Sequence, residues 1–285
     1  MAVFDSLFLA VLTRDEDNAG TACLFMLTIN IDGEDILSNV GTALDVDDGE
    51  AGLGFGGNPL GDTPLDLTGL TNSSIRLGLQ TWDPQDDNDA WGPQHVLLFG
   101  HALPDFVPGR TMAIAIETDL TFWVSTRFPD GRLTMPLRLV SLGDSTTTIR
   151  RVLLLVETQS EDVIDAGTDS PIQLEIVAGG ILVMKHKIVD TPQPDLEAGT
   201  TNWYFLDAEI PFSKGDVLSN GGIRLSILGD DAWLPKRVFV FGLDTRTGRP
   251  SQVVTLVSEA DWIQGWLSTD PKEGAASIDL PIESL

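Results

Sequence analysis

The chain has 285 residues, 42% of them apolar, and sets 43 Asp and Glu against 17 Lys and Arg, a formal net charge of −26. That excess repels phosphate at long range, which argues against nucleic acid as a partner and leaves anionic membranes only through a bridging cation. The apolar share is enough for packed cores, so a disordered acidic tail is excluded as well. Asp outnumbers Glu by 31 to 12, a bias that fits either solvation in salty surroundings or loops that hold hard cations.

The first thirteen residues are apolar but short. They lack a basic n-region, carry Asp5 early and run into Arg14-Asp15-Glu16-Asp17. This pattern predicts a first β-strand rather than a signal peptide. No apolar run approaches the ~20 residues of a bilayer span. The expectation is a cytoplasmic protein, or one released by a route the sequence does not display. The single cysteine, Cys23, lies in the apolar run Cys23-Leu24-Phe25-Met26-Leu27. It rules out an intrachain disulfide and reads as a buried, inert thiol.

Self-comparison organises the rest of the chain. Residues 7–13 (LFLAVLT), a polar loop, Ala19-Gly20-Thr21 and 25–31 recur as 152–158 (VLLLVET), a polar loop, Ala166-Gly167-Thr168 and 172–177. Ile75-Arg76-Leu77 recurs as Ile223-Arg224-Leu225, and Asp89-Ala90-Trp91-Gly92-Pro93 as Asp231-Ala232-Trp233-Leu234-Pro235. Trp123-Val124-Ser125-Thr126 recurs as Trp266-Leu267-Ser268-Thr269. Five blocks in one order predict a tandem duplication, with repeats over 1–145 and 148–285 joined by a short polar turn. Within the first repeat, strands are predicted over 6–13, 23–31, 74–80, 95–101, 111–117 and 133–140, with counterparts in the second. Helical periodicity is scarce, and the Gly- and Asp-rich stretch 45–61 is predicted to be an irregular loop. The fold class is therefore all-β, two tandem antiparallel β-sandwiches.

The same blocks resemble the PLAT family (polycystin, lipoxygenase, alpha-toxin). Its strand, A-G-T-D turn and alternating strand match 152–158, Asp165-Ala166-Gly167-Thr168-Asp169 and 172–176. Its I-R-L strand and aromatic-led strand match 223–227 and 231–240, and its closing aromatic segment matches Trp262, Trp266 and Leu267. The resemblance covers nearly all of the second repeat and, more weakly, the first. It implies an eight-stranded sandwich that binds a membrane lipid or a protein beside a catalytic domain. Two copies fill this chain, so no catalytic partner domain is expected.

The resemblance also implies a calcium site in the second repeat. Motif by motif, its ligands become Asp165, the Gly167 carbonyl, Asp195, Asp231 and the Ala232 carbonyl, with Asp190 a second choice from the middle loop. Calcium takes six to eight oxygens of this kind, and three acids at one loop end repel one another without a cation. The alternative is that these are solvated turn acids in an Asp-rich chain. The first repeat departs from the pattern. Asn18 replaces the turn acid and Ala22 the last Asp of A-G-T-D, while Asp89 and Ala90 remain, with Asp86 and Asp87 in an insertion nearby. The middle loop there offers Asp62 without clear alignment, so a weak or lost site is expected.

Other motifs lead nowhere. Gly52-Leu53-Gly54-Phe55-Gly56-Gly57 spells G-x-G-x-x-G but lacks the strand before it and the helix after it that a dinucleotide site needs. His95, His101 and His186 have no ligand spacing, and Trp91, Trp233, Trp123 and Trp266 read as core residues. No loop tip looks apolar enough to enter a bilayer. Trp82 is followed by Pro-Gln-Asp-Asp-Asn-Asp, and Leu228-Gly229-Asp230-Asp231 precedes Trp233. The expectation is a non-catalytic, calcium-stabilised binding or assembly protein. It would contact a protein partner or its own copies as a structural or accessory subunit, without a small-molecule substrate and with membrane binding weak or absent. A calcium-dependent lipid-binding protein is the alternative, and an enzyme with an unrecognised site the next.

Overall fold

The computed structural model describes residues 3–61, 63–80, 89–103, 110–127, 130–160, 162–163, 165–189 and 196–284. The chain divides into two compact units, Met1–Ser141 and Leu142–Leu285. Both are built from antiparallel sheets, so the fold is all-β.

The first unit runs β1 (Val3–Thr13), β2 (Leu24–Ile31), β3 (Glu34–Ala43), β4 (Ala51–Gly57), β5 (Leu65–Asp66) and β6 (Ile75–Gln80). It continues through β7 (Ala90–Trp91), β8 (Pro93–Leu103), β9 (Arg110–Glu117), β10 (Val124–Ser125) and β11 (Thr134–Leu137). Strand β12 (Ser141–Leu142) leads into the second unit, with β13 (Ile149–Thr158), β14 (Ile172–Ala178), β15 (Ile181–Ile188) and β16 (Thr201–Phe212). A helix, α1 (Lys214–Asn220), precedes β17 (Gly222–Ile227), β18 (Ala232–Trp233), β19 (Pro235–Leu243), β20 (Gln252–Glu259), β21 (Leu267–Ser268) and β22 (Ser277–Leu280).

In the first unit one sheet has the order β4-β1-β8-β9 and the other β3-β2-β6-β11, with a short β7-β10 ladder. In the second unit the orders are β16-β13-β19-β20 and β15-β14-β17-β22, with a β18-β21 ladder. Strand for strand, the two units follow one topology. Period-2 alternation fills each core. Phe25, Leu27 and Ile29 of β2 meet Leu7, Leu9 and Val11 of β1, and Ile172, Leu174 and Ile176 of β14 meet Val152, Leu154 and Val156 of β13. Strand β13 also buries the alternate residues Leu153 and Leu155, and β19 likewise Phe239 and Phe241. Burial on both faces is what makes these strands read as unbroken apolar runs.

Three elements differ from the sequence expectation. The stretch 45–61 is not irregular, because it contains β4, paired with β1 from Leu7↔Gly57 to Leu12↔Ala51. Its inward positions are Gly52 and Gly54, so the apolar alternation that marks a strand is missing. At Gly54 a Cβ would lie 2.5 Å from Thr42 Cγ2, and at Gly52 2.8 Å from Val46 Cγ1. Strand β3 alternates polar and half-buried residues, which hides it. Helix α1 is short and starts at a capping box, with Ser213 and Asp216 exchanging side chain-to-backbone hydrogen bonds. No helix among the described residues is long and apolar enough to cross a membrane.

Candidate functional site

The polar turns of each unit gather at one end of its sheets. In the second unit the chain leaves β13 at Thr158 and reaches Asp165 in the left-handed region, at φ 60°. The buried Ala166 then donates its N–H to the Val163 carbonyl (3.3 Å), and its own carbonyl accepts from Leu234 N (2.9 Å). Thr168 N donates to the Leu196 carbonyl (3.1 Å), and Gly199 N to the Gln159 carbonyl (2.7 Å). A Cβ at Gly167 would lie 2.7 Å from Ala198 N, so the turn requires glycine there. Asp231 N donates to Ser170 Oγ (3.2 Å), while the Asp231 carboxylate accepts from Asp169 N (3.3 Å) and Ala232 N (2.8 Å). Trp233 locks the arrangement from inside, fully buried, with Nε1 donating to Thr158 Oγ1 (3.1 Å).

Four of the five residues singled out for calcium, Asp165, Gly167, Asp231 and Ala232, thus share one hydrogen-bonded end. Asp195 and Asp190 lie outside the described residues, although Leu196, next to Asp195, is tied to Thr168. Carboxylate and carbonyl oxygens are the donor chemistry of a calcium shell. Among the described residues no three His, Cys, Asp or Glu side chains group closely enough to hold a metal. The described carboxylates and carbonyls at this end are fewer than the six to eight oxygens that calcium takes.

The first unit builds the same end with the same bonds. Asn18 stands at φ 63°. Gly92 N donates to the Ala19 carbonyl (2.8 Å), Thr21 N to the Val46 carbonyl (2.8 Å), and Gly49 N to the Arg14 carbonyl (3.0 Å). Trp91 Nε1 donates to Thr13 Oγ1 (3.0 Å). What differs is how the acids are used. The Asp48 carboxylate accepts from Asn18 N (2.9 Å) and Gly20 N (2.7 Å). The Asp89 carboxylate turns inward to accept from the Thr21 hydroxyl, the Cys23 thiol (3.0 Å) and Ala90 N (2.8 Å). The Arg14 guanidinium lies over the Trp123 ring, 4.6 Å from its centroid.

Val46 occupies the place of Leu196, so the middle-loop counterpart of Asp195 is Asp45. Asp62, the residue suggested by sequence, lies outside the described residues, as do Trp82, Asp86 and Asp87. The signal was present in the sequence. Val46-Asp47-Asp48-Gly49-Glu50 aligns with Leu196-Glu197-Ala198-Gly199-Thr200, at an offset just outside that of the five matched blocks.

Two other expectations change. Trp123 and Trp266 are half-buried instead of core residues. Their carbonyls accept from Arg132 N and Ala275 N, and the next residues, Val124 and Leu267, take the core positions. The loop end of the second unit also carries an apolar tip. Trp262 anchors it, with its N–H on the Lys236 carbonyl (3.1 Å) and Nε1 on the Gly265 carbonyl (2.7 Å), and leaves Ile263 84% exposed. Nearby, burial pushes the Glu259 carboxyl up, opposed by a hydrogen bond from Gln264.

The histidines serve the frame. His95 Nδ1 accepts from Asp119 N (3.2 Å), and His186 Nε2 donates to the Asp207 carbonyl (2.7 Å). The G-x-G-x-x-G run is strand β4. The buried Glu117 pairs with Arg138 (2.6 Å), and the partly buried Glu157 with Lys236 (2.7 Å) and Arg237.

No protein-family model matches the chain, and no curated protein matches it. Among solved structures it is similar to the alpha toxin from Clostridium absonum, at 21% identity and a TM-score of 0.32. That match covers 49% of this chain and 33% of the toxin chain, so it spans about a third of the toxin's length.

Proposed function

We propose that the chain is a non-catalytic binding or assembly protein: two PLAT-like sandwiches derived by duplication, stabilised by calcium in the second, that contact another protein or further copies. The matching strand orders and loop-end hydrogen bonds support the duplication. The observation that carries the binding role is uncovered apolar surface on the second unit. Ile181 and Leu182 follow the β14–β15 turn, and Leu218 lies on α1; all three are exposed. Gly179 N and Gly180 N donate to the Asp216 and Asn220 carbonyls, which holds that turn against the helix. Exposed apolar side chains gathered in this way fit a protein contact. They sit at the far end of β14 from the acidic turns, where a calcium-bridged membrane would not reach them.

Ile263 favours the second reading, calcium-dependent lipid binding, because it stands at the acidic end. Magnitude decides against it. Complete burial of one isoleucine contributes about 1.5–3 kcal/mol, too little to hold a strongly acidic chain on a bilayer. Co-sedimentation of the full chain with phosphatidylcholine–phosphatidylserine vesicles, with calcium and with chelator, tests this. The expected result is no binding to neutral vesicles and weak, salt-sensitive binding to anionic ones. Salt-resistant binding that is lost in Ile263→Asp would replace the proposal with the lipid reading.

A further inference from the structure

The two loop ends share their turns, their tryptophans and their backbone hydrogen bonds, yet one position separates them. In the first unit Asp48 reaches the turn Asn18-Ala19-Gly20, and its two carboxylate oxygens accept from Asn18 N (2.9 Å) and Gly20 N (2.7 Å). In the second unit Ala198 stands at that place. Its neighbours fix the equivalence: Val46 and Leu196 both accept from the turn threonine, and Gly49 and Gly199 both donate to the residue after the β-strand threonine. Alanine has no acceptor to offer. Among the described residues nothing accepts from Asp165 N or Gly167 N, the amides equivalent to those that Asp48 holds.

We infer that residue 48, and its counterpart 198, decides whether a loop end of this fold is closed by its own chain or left open to a ligand. Asp48 closes the first unit. A carboxylate that accepts two backbone N–H groups makes charge-assisted bonds, the strong kind, and here it ties the middle loop to the turn through the protein's own groups. With Asp89 turned inward on Thr21 and Cys23, the first unit uses both of these carboxylates on the protein itself. The second unit keeps the same turn with Ala198 beside it and with Asp165 and Asp231 both exposed, Asp231 accepting from Asp169 N and Ala232 N. That this open end takes calcium rests on the function proposed above. The self-closure by Asp48 does not.

Residue-resolved hydrogen exchange of the full chain tests the inference. Asp48→Ala copies the second unit into the first and should speed exchange at Asn18 and Gly20 by about 10- to 100-fold, the range of a lost hydrogen bond to a charged group. Asp48→Asn, which keeps the shape, should give a smaller rise at the same two amides. Ala198→Asp copies the first unit into the second and should slow exchange at Asp165 and Gly167 in chelator. If calcium fails to alter exchange anywhere while Ala198→Asp still protects those amides, the calcium reading falls and the closure stands. Unchanged exchange at Asn18 and Gly20 in Asp48→Ala, or at Asp165 and Gly167 in Ala198→Asp, overturns the closure.

Discussion

The loop ends of the two units are alike in backbone and unlike in the use of charge. In the first, Asp48 and Asp89 bond to the protein's own amides, hydroxyl and thiol, and Arg14 covers Trp123. In the second, Ala198 stands where Asp48 does, no described residue accepts from the equivalent turn amides, and the Asp231 carboxylate accepts from the backbone N–H groups of Asp169 and Ala232. One topology therefore carries a turn held by an acid from the middle loop and an equivalent turn with alanine at that place. Backbone hydrogen bonds and core tryptophans set the shape; a few side chains at equivalent positions set how its carboxylates are used.

The shared frame is where the largest effects are expected. Trp91→Ala and Trp233→Ala each remove a fully buried ring and orphan the hydroxyl of Thr13 or Thr158. Each should cost about 3–5 kcal/mol in urea unfolding of the full chain. Clearly unequal costs would break the equivalence of the two frames. Gly54→Ala, with its Cβ against Thr42, should cost about 1–3 kcal/mol. Gly57→Ala on the same strand meets nothing within 4 Å, and a comparable loss there would show that close approach does not set the glycines of β4.

The acids should separate the units. Asp89→Asn should cost about 1–2 kcal/mol with or without calcium, because three donors converge on that carboxylate. Asp231→Asn should cost little in chelator. Equal costs in chelator, read by the same unfolding curves, would contradict the difference drawn here.

The smallest effect concerns pH. A hydrogen bond from Arg151 holds the Asp207 carboxyl below its usual range, and the pair stands where the first unit has Ser6. The folded-state pKa is depressed, so this stability is present above the unfolded value of about 4 and fades as pH falls through the folded value. Asp207 is half exposed, so the contribution is under about 1 kcal/mol. Asp207→Asn should flatten the acid limb of the stability curve; an unchanged limb would remove the pair from the account.

Much of the fold was legible because alternation and repetition both survive in the sequence. Strands such as β2 and β14 place an apolar residue at every second position, and the repeated Asp-Ala-Trp block marks equivalent turns. Strand β4 was not legible, since close packing demanded glycine where a strand normally shows valine. Trp123 and Trp266 misled because a one-residue shift carries the core position to Val124 and Leu267. At the site, the turn and the Asp-Ala pair were readable from their motifs. Asp48 was not, because its role comes from a contact across 30 residues that only the folded turn reveals.

Calorimetric titration of calcium into the full chain tests the central claim most directly. The account expects one calcium per chain, lost in Asp231→Asn and retained in Asp89→Asn. Saturation at a hundredfold excess over Kd would stabilise the second unit by about 2.7 kcal/mol. Two equivalent sites, or none, would contradict it.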